Sequence, residues 1–188
     1  MSKSPVIIAV TGCASSGKTT ILNDLEKILS VNYNVIKIPE LVRILCDSLQ
    51  ITLYDIENRN LMFEFEQLLL NTYIFLEKFI KKEKCDIILL DRTIWDILVY
   101  TKLFHTSNEA NKIKMMIDEY KPKYDYIIYC EPLEFKEDKF RINYRKYGEI
   151  KLFEEIVKPK ADIILEPAEH YIRIQKILND EKFKQLIK

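Results

Sequence analysis

The residues Gly12-Cys13-Ala14-Ser15-Ser16-Gly17-Lys18-Thr19 satisfy the pattern G-x-x-x-x-G-K-[ST]. The residue types match one chemistry, the cradling of phosphate. Gly12 and Gly17 allow a tight turn in which successive backbone N–H groups point into one anion-sized hollow. A helix beginning at the end of the motif adds its positive pole. Lys18 reaches β- and γ-phosphates from this position, and the Thr19 hydroxyl is placed to ligate Mg²⁺. The expected nucleotide-binding set is Gly12, Cys13, Ala14, Ser15, Ser16, Gly17, Lys18, Thr19 and Thr20. The context agrees, because the apolar run Val6–Val10 precedes the motif and a helical run from Thr20 to Leu29 follows it. With only three glycines in the chain, two at this spacing are not expected by accident.

Three further groups of residues follow short apolar runs. Ile38-Pro39-Glu40 with Arg43 offers a carboxylate to take the proton of an attacking hydroxyl, and an arginine one helical turn on to hold substrate or orient the acid. Asp91-Arg92 follows Ile87–Leu90; the acid suits a Mg²⁺ ligand or a base, and the arginine suits substrate or the transferred phosphate. Glu131 follows Tyr126–Tyr129 and leads to Asp138 and Arg141, which share a face if helical, so that Arg141 can swing over a triphosphate. Each group has a plain structural alternative: a capped surface helix, an internal ion pair, or a solvated i,i+3 pair. Glu40 and Asp91 remain open alternatives for the base.

These residues need a scaffold that brings strand ends together. Val6–Val10, Val35–Ile38, Ile87–Leu90 and Tyr126–Tyr129 are continuous apolar runs, the pattern of strands covered on both faces, and Ile163–Leu165 is a weaker fifth. Leu61, Phe65, Leu68, Leu69, Leu76 and Phe79 repeat at helical spacing between them. Alternating strands and helices predict an α/β fold with a parallel sheet, and ligands in such sheets sit beyond the carboxyl ends of the strands. The 188 residues suit one domain over 1–188. The mixed-charge segment at 136–160, with Arg141, Arg145 and Gly148, reads either as a solvated helical face or as a lid, at about 132–150, that carries cations onto phosphate.

Composition removes other classes. The chain is 48% hydrophobic, which excludes disorder, and its 29 basic residues balance 29 acidic ones, which argues against a dedicated nucleic-acid binder. No apolar stretch approaches the roughly 18–20 residues of a membrane helix. Cys13, Cys46, Cys85 and Cys130 are widely spaced, and His105 and His170 offer no metal-ligand spacing, so the expectation is a soluble cytoplasmic protein with cysteines in its core. Trp95 and Phe63 likewise read as core aromatics before base-stacking platforms. A GTPase needs D-x-x-G and N-K-x-D, and Asn111-Lys112-Ile113-Lys114 ends in the wrong residue. A transporter ATPase needs a glycine-rich signature that the chain lacks, and a full AAA+ motor usually carries a further helical subdomain.

With these residues assembled, the chain resembles the small AAA-type ATPase/kinase group of P-loop kinases that includes the bacterial nicotinamide riboside kinase domain. The resemblance spans about residues 5–178. It rests on the phosphate loop, Pro39-Glu40 with Arg43, Phe65 and Gln67, Leu90-Asp91-Arg92 with Asp96 and Tyr100, Tyr124-Asp125, Glu131-Pro132 with Asp138 and Arg141, and Glu166-Pro167. Deoxynucleoside kinases look similar: Glu40 matches their acid after the second strand, Gln67 their helix glutamine, and Asp91-Arg92 their acid–arginine pair. The chain departs from the riboside-kinase group where Asp91-Arg92-Thr93 replaces an Asp-Thr-Asp-like run, and Arg141-x-x-x-Arg145 is only part of an arginine-dense lid.

The resemblance implies a five-stranded sheet in the order 2-3-1-4-5, ATP with Mg²⁺, and phosphorylation of a small hydroxyl compound. The expected function is transfer of phosphate to a nucleoside-like molecule such as nicotinamide riboside, a nucleoside or a deoxynucleoside. The expected catalytic residues are Lys18, Glu40, Asp91 and Arg141, with substrate held by Glu40, Arg43, Gln67 and Arg92, and metal by Thr19 and Asp91. The alternative is an ATPase switch or assembly protein acting on a protein partner. Neither nucleic acid nor membrane is an expected partner, and the long apolar helix at 56–80 offers a homodimer face as readily as a core face.

Overall fold

A computed structural model of the chain describes residues 4–80, 82–134 and 148–188. Its centre is a five-stranded parallel sheet. The strands are β1 (Val6–Thr11), β2 (Val35–Ile38), β3 (Ile87–Asp91), β4 (Tyr126–Cys130) and β5 (Ile163–Leu165), in the spatial order β2-β3-β1-β4-β5. This is the expected order, and all four pairings are parallel.

The continuous apolar runs are explained by the side chains they send to opposite faces. Ile7 and Ala9 of β1, with Ile88 and Leu90 of β3, face one layer of helices. That layer contains α2 (Leu41–Leu49), α3 (Leu53–Asn58), α4 (Met62–Ile80), α5 (Ile94–Phe104) and α6 (Ser107–Tyr120). Ile8, Val10, Ile87 and Leu89 face the other layer, built by α1 (Lys18–Leu29), α8 (His170–Asn179) and α9 (Glu181–Leu186). Each of these side chains is at most 5% exposed, and full burial of such a residue is worth about 1.5–3 kcal/mol. A smaller cluster joins Cys13, Val99 and Tyr129 to Phe153 and Val157, at and beyond the end of α7 (Glu149–Ile156).

Register brings the chemical residues to one edge. Val10 pairs with Asp91, Ile38 with Leu90, and Thr11 with Tyr129, so β1, β2, β3 and β4 all end beside the loop that follows Thr11. The helical stretch at 56–80 is not one helix. Chain reversal at Arg59-Asn60-Leu61, with Asn60 in the left-handed region (φ 55°), separates α3 from α4. Thr52 caps α3 through a capping box with Asp55, so the short helix has its own start signal. The four cysteines are buried free thiols, and Trp95 packs edge-on against Tyr124. Among the described residues no helix is long and apolar enough to cross a membrane. The expected lid at 132–150, with Asp138, Arg141 and Arg145, falls mostly on residues 135–147, outside the described residues.

Candidate active site

The loop between β1 and α1 has the backbone its sequence requires. Gly12 (φ 136°) lies so close to β4 that a Cβ would stand 2.3 Å from the Cys130 carbonyl oxygen. Gly17 (φ 82°) is the N-cap of α1, and a Cβ there would meet Arg173 Nη1 at 2.9 Å. A glycine N-cap brings no side chain to the first-turn N–H groups, which leaves them for an anion. Lys18 is buried and folded over the loop, donating to the Cys13 carbonyl at 2.7 Å and to Ser16 Oγ at 3.3 Å. Burial and the neighbouring Arg92 lower its pKa, opposed by Asp91, Glu40 and Asp96. Cys13 packs in the apolar cluster around Phe153; its thiol donates to the Ala14 carbonyl at 3.5 Å and its own carbonyl accepts from Lys18.

At the mouth of the loop the exposed Thr19 hydroxyl donates to Asp91 Oδ2 at 2.8 Å. Asp91 is buried at the end of β3, and its Oδ1 has no hydrogen-bond partner among the described residues. Burial raises its pKa, more than Lys18 and Arg92 offset. A hydroxyl and a carboxylate oxygen converging here, with one carboxylate oxygen unsatisfied, form a hard-oxygen donor set that fits Mg²⁺.

Beside it stands an ion-pair network. Glu40, the N-cap of α2, accepts from Arg43 Nε at 2.8 Å and from Arg92 Nε. Burial alone would raise the Glu40 carboxyl, but Arg92, Lys18 and Arg43 together hold it down at about 2. Arg92 also reaches Asp96 Oδ2 and the Tyr100 hydroxyl, both at 3.3 Å. Its backbone is left-handed (φ 90°), an uncommon state for a side chain of this size, and its N–H is tied to the Val10 carbonyl at 2.9 Å. Such strain persists where surroundings over-determine it, and functional sites are where it gathers. Asp96 is fixed in turn, since its Oδ1 accepts from the Thr11 hydroxyl at 2.7 Å and the Thr93 hydroxyl at 2.6 Å.

One cleft joins these groups. It encloses about 1110 Å³ of space open to solvent, and its lining runs from Ala14–Thr20 past Glu40, Arg92 and Asp96 to Leu53, Phe65, Leu69, Ile97 and Phe104. Of the expected site residues, Lys18, Thr19, Thr20, Glu40 and Arg92 line it, as do Ala14, Ser15, Ser16 and Gly17. Asp91 meets it through Thr19. Arg43 lies behind Glu40, and half-buried Gln67 is off the lining, where Glu66 stands instead. Glu131 is drawn away by Lys158, to which it is bonded at 2.8 Å. Arg141 lies outside the described residues.

Three residues of the site neighbourhood escape a reading of the sequence. Glu149 is fully buried; its Oε1 accepts from the Ala14 backbone N–H at 3.1 Å and from the Tyr100 hydroxyl at 2.9 Å, which ties α7 to the phosphate loop. Arg173 of α8 supports the loop from behind by donating to the Ser16 carbonyl at 2.9 Å. Glu66 is 3% exposed at the apolar end of the cleft. The one signal available for Glu149 was its place just after Gly148; a lone Glu or Arg on a helical pattern gives none.

A parallel 2-3-1-4-5 sheet with a phosphate loop after its central strand defines a P-loop nucleotide-binding fold. The chain belongs to the AAA-domain family, whose pattern matches residues 7–158. No curated protein sequence matches it. Similar solved structures include NadR protein in complex with NR, at 17% identity and TM-score 0.66 over 97% of this chain and 50% of that one. The chain thus spans half the length of that protein. Deoxyadenosine kinase from M. mycoides, with dCMP and dCDP bound, is 18% identical with TM-score 0.66 over 93% and 97% of the two chains. Thymidylate kinase from Ehrlichia chaffeensis is 20% identical with TM-score 0.58 over 94% and 98%. At these identities the likeness is one of fold.

Proposed function

We propose that the chain, acting as one domain, is an ATP- and Mg²⁺-dependent phosphotransferase that phosphorylates a hydroxyl of a nucleoside-like small molecule. The observation that carries this reading is the cleft itself. It is continuous from the phosphate loop to an apolar chamber, with Glu40 and Arg92 between the two ends. An ATPase switch has no use for a second, apolar chamber opening onto the phosphates. The kinases of similar fold add support, because each is known by a nucleoside or nucleotide substrate.

In this reading the loop N–H groups and the N-terminus of α1 hold the phosphates of ATP. Thr19 and Asp91 would hold Mg²⁺, which would supply positive charge to offset that of the phosphates. Lys18 exchanges its contact with the Cys13 carbonyl for the β- and γ-phosphates. The acceptor hydroxyl lies between Glu40 and the γ-phosphate. Its oxygen bonds to phosphorus as the bond to the β–γ bridging oxygen breaks, and ADP leaves. Glu40 is ionised and paired, so it orients the hydroxyl by accepting its hydrogen and takes the proton as phosphoryl transfer advances. Arg92 keeps Glu40 in place and faces the transferring group; Arg141, outside the described residues, is assigned a second cation's role on the sequence pattern alone. Such a reaction depends on positioning and charge neutralisation. A homodimer through the outer face of α4, where Leu68, Phe75 and Phe79 are exposed, belongs to the same proposal, and light scattering tests it.

The decisive test is ADP release from ATP and Mg²⁺ across nicotinamide riboside, ribonucleosides, deoxynucleosides and their monophosphates, with Lys18→Ala as the blank. Stimulation by one acceptor that vanishes in the variant is expected. A flat panel over a Lys18-dependent background would overturn the kinase reading in favour of the ATPase switch.

A further inference from the structure

At the far end of the cleft a carboxyl group, that of Glu66, stands at an apolar wall. Glu66 projects from α4 between Phe65 and Leu69, which line the same chamber, with Leu53, Ile97 and Phe104 around it. Its Oε2 is turned toward α5, 2.5 Å from the Thr101 hydroxyl and 3.4 Å from His105 Nε2. Its Oε1 is buried and has no hydrogen-bond partner among the described residues. A carboxyl oxygen left in such surroundings costs free energy unless something completes its hydrogen bonding.

Counting protons decides what Oε1 can do. The Thr101 hydroxyl has one hydrogen and two acceptors in reach, Glu66 Oε2 at 2.5 Å and the Ile97 carbonyl at 2.8 Å. Both contacts are satisfied if Thr101 donates to Ile97 and a protonated Glu66 donates from Oε2 to Thr101. Burial favours that protonated form, which the Glu109 carboxylate on α6 supports and the Thr101 contact only partly opposes. His105 is itself held toward its neutral form by burial, so it supplies no charge to reverse this. Oε1 is then the carbonyl oxygen of a carboxylic acid, and it accepts hydrogen bonds. Were Glu66 ionised, Oε1 would still be an acceptor.

We infer that Glu66 is the specificity-determining residue for the acceptor, its Oε1 accepting an N–H from an exocyclic amino or carboxamide group on the acceptor's ring. This rests on the proposed kinase reading for the placement of the acceptor in the cleft. The hydroxyl to be phosphorylated lies at Glu40 and Arg92, the ring fills the apolar chamber, and the ring's amino edge reaches Glu66. A keto group or a carboxylate in place of the amino group sets acceptor against acceptor at an apolar wall, where a lost hydrogen bond discriminates more strongly than a change of size.

The test uses matched nucleosides that differ at that edge: cytidine and uridine, adenosine and inosine, their deoxy forms, and nicotinamide riboside against its carboxylate analogue. Binding is measured calorimetrically, and ADP release separately, for the full chain, Glu66→Gln and Glu66→Leu. The expected result is at least a tenfold preference for the amino or amide member of one pair, falling toward parity in both variants. Glutamine offers a donor as well as an acceptor, and leucine offers neither. Glu66→Leu removes a buried polar group, so its fold is not at risk from a new unsatisfied charge, and circular dichroism checks it. A preference that survives in Glu66→Leu, equal binding of both members by the wild-type chain, or no nucleoside binding at all overturns the inference. An amino preference in binding without phosphoryl transfer would sink the kinase reading alone, and transfer without the preference would sink this one alone.

Discussion

The two ends of the cleft handle polar groups in opposite ways. At the head, Lys18, Thr19, Glu40, Asp91, Arg92 and Asp96 crowd together, and most of their charge is matched by a neighbour. At the far end the Glu66 carboxyl stands among apolar side chains and, among the described residues, is satisfied on one oxygen only. A dense network of paired ions is rigid and suited to a constant reactant, the phosphates. One under-satisfied group at an apolar wall suits a reader of a variable part, because its free energy depends on what the ligand brings. On the proposed function, transfer belongs to the head and choice to the far end, and substitutions at each should divide accordingly.

The largest effect is expected at the head. Lys18→Ala should reduce phosphoryl transfer by about a thousandfold, because in the proposed reading it removes the cation nearest the transferring group. Steady-state ADP release measures it, and retention of most of the turnover would mean that the loop serves binding alone. Asp91→Asn comes next, with a loss on the order of a hundredfold and a higher Mg²⁺ requirement. The Mg²⁺ titration matters more than the rate, since an unchanged Mg²⁺ dependence would leave Asp91 as a structural partner of Thr19. For Glu40→Gln the expected loss is about tenfold to a hundredfold in kcat with ATP affinity preserved. Weakened ATP binding instead would show that Glu40 works through Lys18 and Arg92 as a charge partner.

The same division separates what could be read from the sequence from what could not. The phosphate loop is legible because its geometry is set within consecutive residues, and its two glycines are demanded by Cys130 and Arg173 close by. The strands are legible because a sheet covered on both faces needs unbroken apolar runs, and the positions of Glu40 and Asp91-Arg92 follow from where those runs stop. The far end has no such local rule. Gln67 was expected to face substrate, yet neighbouring residues on a helix differ in direction by about 100°. With α4 beginning at Met62 after the Asn60 turn, Phe65, Glu66 and Leu69 line the cleft. That phase depends on how α4 packs against α5, through contacts such as that between Glu66 and Thr101, and no single stretch of sequence specifies it. Glu149 is hidden for the same reason. It meets Ala14, 135 residues earlier in the chain, only because α7 packs on the cluster around Cys13.

The smallest expected effect is the one that probes the far end without any ligand. Burial raises the Glu66 carboxyl to about 8, from an ordinary value of 4.5. The sign of its contribution to stability follows from linkage. Below about pH 4.5 both folded and unfolded chains carry the proton, and nothing is lost. Between the two values the unfolded chain ionises while the folded one does not, so stability falls as the pH rises, and it levels off above about 8. Glu66→Gln does not titrate at this position, while groups away from it titrate alike in both proteins. The melting temperature of the wild-type chain relative to the variant should therefore drop by about 5 °C between pH 5 and pH 8.5, after allowance for residual hydration of the site. Only the slope is diagnostic, because the variant's packing shifts both ends equally. Two parallel curves would mean that Glu66 is already ionised in the folded chain; the far end would then be wet, and the contrast between the two ends of the cleft would collapse.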